Sequence, residues 1–143
     1  MKSLWDAPLG SVADDIAGHE PAPAGVAAAV VAAAFGVGLL IKTLTISGQR
    51  PEIRAAALQV AADLRAAADA DCAAVSASLR SPEAIAVPRR ALRLVNRAIE
   101  LCDESAPAIT GLLAADLAAG RELLTGAARA ISVCLDANLA SRL

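Results

Sequence analysis

Apolar and small residues recur along this chain with the helical period, and the breaks between runs fall on proline, glycine and serine. Leu9, Val12 and Ile16 form one side of a short helix over Ser11–Ala17, with Ser11 placed as N-cap and Gly18 as stop. His19 to Pro23 cannot be helical, because each proline pushes its predecessor to extended geometry. An apolar helix follows from about Ala24 to Thr45 and ends at Ser47–Gly48. Arg50–Pro51–Glu52 opens a long helix with proline in its first turn. Its stripe is Ile53, Ala57, Val60, Leu64, Ala68, Asp71, Val75 and Leu79. Ser81–Pro82–Glu83 breaks the chain. Pro88 then opens a helix through about Asp103, with Leu92, Val95, Ile99 and Cys102 on one side. After a turn at Asp103–Pro107, a last helix runs from about Ile109 to Leu139. Asp116, Gly120, Leu123, Ala127, Ile131, Cys134 and Asn138 lie along one of its faces. The pattern predicts an all-α, antiparallel bundle of about five helices in a single domain, 1–143.

Composition agrees with helices and adds an expectation. The chain is 57% hydrophobic but only 1% aromatic, so alanine carries much of the apolar count. Alanine is the best helix former, yet it buries little surface per residue. A chain built this way is expected to bury more surface by pairing with a second copy, as a homodimer. Net charge is −2, there is no basic block, and Trp5 and Phe35 are the only aromatics. That argues against a nucleic-acid partner. Ala24 to Ile41 is uncharged and long enough to raise the question of a membrane span. The run is mostly Ala, Val and Gly, and no positive cluster or aromatic belt flanks it. The buried core of a helical assembly is the better reading, with no membrane partner. Cys72, Cys102 and Cys134 form no CxxC pair and fit reduced thiols in a cytoplasmic protein.

Few residues could carry chemistry. Asp71 occupies an otherwise apolar stripe, while Asp63 and Asp69 point elsewhere. A carboxylate facing a core must find partners or titrate with a raised pKa. The alternative is a stripe that rotates near its end and leaves Asp71 at the rim. Asp116 and Asn138 share a face but lie about 33 Å apart along one helix. Within one chain they cannot touch one small ligand unless the helix breaks; a dimer with antiparallel helices would bring them toward different ends of two equivalent sites, and the alternative is a cap or a buried hydrogen-bond partner for each. Cys134 lies among small residues as core filler, with no histidine to activate it. His19 reads as a solvated turn residue, with a general-base role as the alternative. Lys42 and Arg50 suit a helix C-terminus. Arg89, Arg90, Arg93 and Arg97 make a basic stripe that is a solvated face or a site for an acidic partner. With one histidine and no close ligand spacing, no metal site is expected. No P-loop, GxGxxG, HExxH or GxSxG pattern occurs.

The order of features resembles the cyclodeaminase/cyclohydrolase family, which includes the cyclodeaminase part of formiminotransferase-cyclodeaminase and bacterial methenyltetrahydrofolate cyclohydrolases. The resemblance runs through the short helix Ser11–Gly18, the proline turn Pro21–Ala22–Pro23–Ala24–Gly25–Val26, the small-residue helix Ala27–Leu40 and the Leu44–Thr45 pair. It continues with Asp71 ahead of Pro82, Ala115–Asp116–Leu117, and Cys134–Leu135–Asp136–Ala137–Asn138–Leu139. It implies a helical, dimeric protein acting on or binding a tetrahydrofolate one-carbon derivative. The folate or pterin would be substrate or ligand, with no permanently bound cofactor. Carried over position by position, it implies Asp71 and Asp116 as catalytic polar groups, Asn138 as an orienting amide, and Pro23 and Gly25 as the pterin-side wall. The alternative is a non-catalytic helical dimer that kept the fold and lost the site.

Overall fold

The computed structural model describes residues 2–143. Five α-helices follow in order: α1 Leu9–Ala17, α2 Gly25–Ser47, α3 Pro51–Ala77, α4 Glu83–Ser105 and α5 Leu112–Ala140. Single-turn 3-10 helices lie at Leu4–Asp6 and Ala106–Ala108, and no strand occurs among the described residues. Short connections fold α2 to α5 back on one another. Gly48 ends α2 at φ 67°, and Gly111 precedes α5 at the same angle, both left-handed values that glycine adopts without cost. The four long helices form a ring in which α2 touches α3 and α5, and α4 touches the same two. Gly25 lies beside Cys134 and Gly36 beside Gly120, so the first and last long helices close the ring antiparallel.

That closure depends on two glycines. A Cβ on Gly36 would stand 2.7 Å from the Gly120 carbonyl oxygen, and a Cβ on Gly120 the same distance from the Gly36 oxygen. The two backbones therefore touch. Inside the ring, Val30, Val37, Leu40 and Leu44 of α2 meet Leu64, Val95, Leu101, Leu124 and Ile131, all 1% exposed or less. Burial of each such side chain contributes roughly 1.5–3 kcal/mol.

The expected boundaries need four corrections. Helix α1 starts at Leu9 rather than Ser11. Helix α3 ends at Ala77, so Leu79 falls outside it and is 54% exposed. Pro88 does not open α4. It lies inside a helix that starts at Glu83, and its side chain is fully buried. The last helix begins at Leu112, not Ile109, because Ala106–Ala108 forms its own 3-10 turn.

Before the ring, the N-terminal segment is laid across α3. Asp69 accepts hydrogen bonds from Ser3 Oγ at 2.6 Å and from the Leu4 N–H at 2.8 Å. Trp5 Nε1 donates to the Arg65 carbonyl at 2.9 Å, and the Arg65 guanidinium lies 5.5 Å from the Trp5 ring centre. Only Val12 of α1 is buried. Helices α2 and α5 are both long and apolar enough to cross a membrane by length and composition. In the bundle, 44% and 22% of their most apolar stretches are covered.

Candidate functional site

Helix α2 starts without a side-chain cap. Its N-cap residue is Ala24, so the first backbone N–H groups have no local acceptor. Asp71 of α3 supplies one from outside, its carboxylate accepting from the Ala27 N–H. The periodicity that placed Asp71 in the apolar stripe holds: it is 2% exposed, and the rim alternative fails. Burial raises its pKa to about 6, and the bond from Ala27 pulls the other way without cancelling it. A carboxyl poised near neutrality at a helix N-terminus has the proton affinity a general base needs.

The Pro21–Val26 turn reaches the same end of the bundle. The Ala22–Pro23 peptide is cis. A Cβ on Gly25 would sit 2.6 Å from Cys134 Sγ, so α5 presses directly on the turn. Burial, then the charge of Asp71, pushes the Cys134 thiol up. Burial, followed by Asp71 and Asp69, pushes Cys72 up to about 11. Both are thiols at neutral pH, not nucleophilic thiolates. A cavity of about 350 Å³ opens beside them, lined by Pro23, Ala22, Cys72, Asp69, Ser76, Lys2, Ser3, Leu4, Ala7, Val12 and Asp15. Asp71 and Gly25 are not in its wall. Its volume is at the lower end for a small-molecule site.

The other two candidates lie elsewhere. Asp116 pairs with Lys42 at 3.3 Å, both partly exposed. Lys42 is 15 residues along α2 from Ala27, roughly 22 Å of helix. One chain therefore does not bring Asp71 and Asp116 together. Asn138 Nδ2 donates to the Ala84 carbonyl at 3.0 Å. That carbonyl would ordinarily accept from the residue four positions on, which is Pro88 and has no N–H. Asn138 thus fills the gap Pro88 leaves in α4.

The remaining polar groups are peripheral. His19 is 95% exposed beside Glu20. Arg97 pairs with Glu100 and Glu104, while Arg89, Arg90 and Arg93 are exposed. All three cysteines are free. Among the described residues, no group of three His, Cys, Asp or Glu side chains is placed to hold a metal ion. Sequence reasoning passed over Asp69, which both lines the cavity and clamps the N-terminal segment. Its partners lie 66 and 65 residues away, beyond the reach of periodicity. The Asn138 role was open to sequence reasoning in part, since a proline inside a helix always orphans the carbonyl four residues back. No protein-family model matches the chain, and no curated protein matches it.

Proposed function

We propose that the chain acts on a tetrahydrofolate one-carbon derivative at the N-terminal end of α2, in the manner of a cyclohydrolase or cyclodeaminase. The observation that carries this reading is Asp71. It is a buried carboxyl held near pKa 6 and directed at the start of the helix that the Pro21–Val26 turn introduces. Hydrolysis of 5,10-methenyltetrahydrofolate needs one water to attack an already electrophilic amidinium carbon. The C–N bond then opens to 10-formyltetrahydrofolate and one proton is released. Asp71 would take that proton from the attacking water. Pro23 lines the neighbouring cavity, where a pterin ring would sit, and Gly25 keeps the turn close to α5. No permanently bound cofactor enters this chemistry.

The test is the decay of methenyltetrahydrofolate absorbance on adding protein. Acceleration that is lost in Asp71→Asn, in a variant that keeps its helicity, supports the reading. A rate equal to buffer at high protein concentration sinks it.

A second reading, a helical dimer that binds a pterin or serves as a structural subunit without catalysis, rests on two observations. Asn138 is engaged by Ala84, and Asp116 is ion-paired at the far end of α2. Thermal shift with 5-formyltetrahydrofolate separates the two readings. A ligand at a hundred times its dissociation constant adds about 2.7 kcal/mol. A shift without turnover selects binding alone.

A further inference from the structure

The cavity beside Pro23 is a gap between two parts of the chain. Asp69 and Cys72 line it from α3, while Lys2, Ser3, Leu4 and Ala7 line it from the N-terminal segment. That segment is lightly held. None of residues 2–11 is buried. It is fastened to α3 by two hydrogen bonds to Asp69, by the bond from Trp5 Nε1 to the Arg65 carbonyl, and by the Arg65 guanidinium over the Trp5 ring. A segment with so few buried contacts belongs to the low-stability end of a native structure and can open without unfolding the bundle.

The bonds to Asp69 have the form of a ligand contact. Each carboxylate oxygen receives one donor: Ser3 Oγ donates to Oδ2 at 2.6 Å, and the Leu4 N–H to Oδ1 at 2.8 Å. This is the two-pronged arrangement in which a carboxylate receives a guanidinium or amidinium, with its pair of parallel N–H donors. The chain therefore fills, with its own residues, a fork in the wall of a cavity of about 350 Å³.

We propose that the N-terminal segment is an internal occupant of Asp69, and that a small ligand bearing an amidine or guanidine group displaces it. The cavity is the one assigned above to the pterin ring, so the displacement rests on that cavity receiving a ligand but not on the reaction. Charge selects the ligand class. Asp15 and Asp69 face only Lys2 in the wall, which is left net negative. A cation with paired donors matches both the fork and this field, whereas a carboxylate or phosphate matches neither. Displacement also reaches beyond the cavity. Once Ser3 and Leu4 leave Asp69, Trp5 loses the anchor that keeps it on Arg65. Ligand occupancy and segment position then form one equilibrium, and whatever weakens the hold of the segment raises the apparent affinity for the ligand.

Trp5 is the only tryptophan, so its emission reports the position of the segment. Millimolar methylguanidine is expected to shift that emission to the red in a saturable way, with far-ultraviolet dichroism unchanged. Tetramethylammonium, of equal charge but without an N–H, is expected to leave it unchanged. Ser3→Ala removes one prong of the internal occupant and is expected to lower the half-saturating concentration severalfold. Asp69→Asn, which removes the charge and turns one prong into a donor, is expected to abolish the response. No saturable response in the wild type overturns the proposal. So does an equal response to tetramethylammonium, or a response that persists in Asp69→Asn. Should Asp69→Asn lose its helicity, Ser3→Ala decides, and unchanged or weaker binding there overturns the proposal. A wild type that ignores methylguanidine yet turns over methenyltetrahydrofolate removes the displacement and leaves the proposed function standing.

Discussion

Asn138 separates a structural account from a catalytic one, and a double-mutant cycle can read the difference. In the structure its amide answers the Ala84 carbonyl, which Pro88 has deprived of its helical donor. Ala84 is buried, so Asn138→Ala leaves an unpaired carbonyl away from water. Such a group costs about 1–3 kcal/mol. Pro88→Ala supplies an N–H four residues after Ala84. It also removes a buried ring, so the single variant carries its own packing cost. That packing cost cancels in the cycle. With the helical bond available, Asn138→Ala is expected to cost about 1 kcal/mol less in the Pro88→Ala background than in the wild type. Urea unfolding followed by circular dichroism measures all four corners. A difference of this size moves the melting temperature of a chain of this length by about 2–4 °C. Equal costs in both backgrounds would refute the carbonyl-filling role and make Asn138 a ligand-binding candidate again.

The Asp71 end of the bundle yields three further tests. Asp71 has a folded pKa of about 6 against an ordinary 3.8, so the folded state holds the proton more tightly. Its contribution to stability is therefore full below 3.8 and is lost as pH rises through about 6, by roughly 3 kcal/mol over that window. Stability of the wild type measured by denaturant titration should fall across this range, and Asp71→Asn should remove that fall. Gly25→Ala drives a methyl into Cys134 Sγ and is expected to destabilise by about 1–3 kcal/mol. Cys134→Ala should recover most of the loss, and the absence of recovery would show that the turn conformation rather than the contact forbids a side chain. Asp69→Ala removes both bonds to Ser3 and Leu4 and should free the N-terminal segment. Trp5 is the only tryptophan, so its emission should shift to the red while far-ultraviolet dichroism stays unchanged.

Helical periodicity carried the fold a long way because a helix buries one side, and the chain shows which. The stripe Ile53, Ala57, Val60, Leu64, Ala68, Asp71 is buried at every position. It failed where a tertiary partner overrode a local rule. Pro88 reads as a helix start because proline cannot donate to a preceding turn. Asn138, 54 residues from Ala84, makes an interior proline tolerable. The stripe also ran too far at Leu79, because periodicity alone cannot say where a helix stops facing its neighbours.

The site was legible in the same uneven way. Asp71 announced itself because a carboxylate in an apolar stripe has few explanations, and a helix lacking an N-cap is one of them. Nothing in Asp69 announced anything, since its role depends on where Ser3 and Leu4 lie. Asp116 kept its place on the face of α5 but is distant from Asp71 within a chain, and helical length alone required that separation from Asn138. Under the proposed function, a catalytic partner for Asp71 comes from the cavity beside Pro23, whose wall holds two carboxylates, Asp69 and Asp15. Loss of turnover in Asp69→Asn with Asp116→Asn unaffected would place the chemistry at that end. The opposite pattern would place it at the Asp116 end instead.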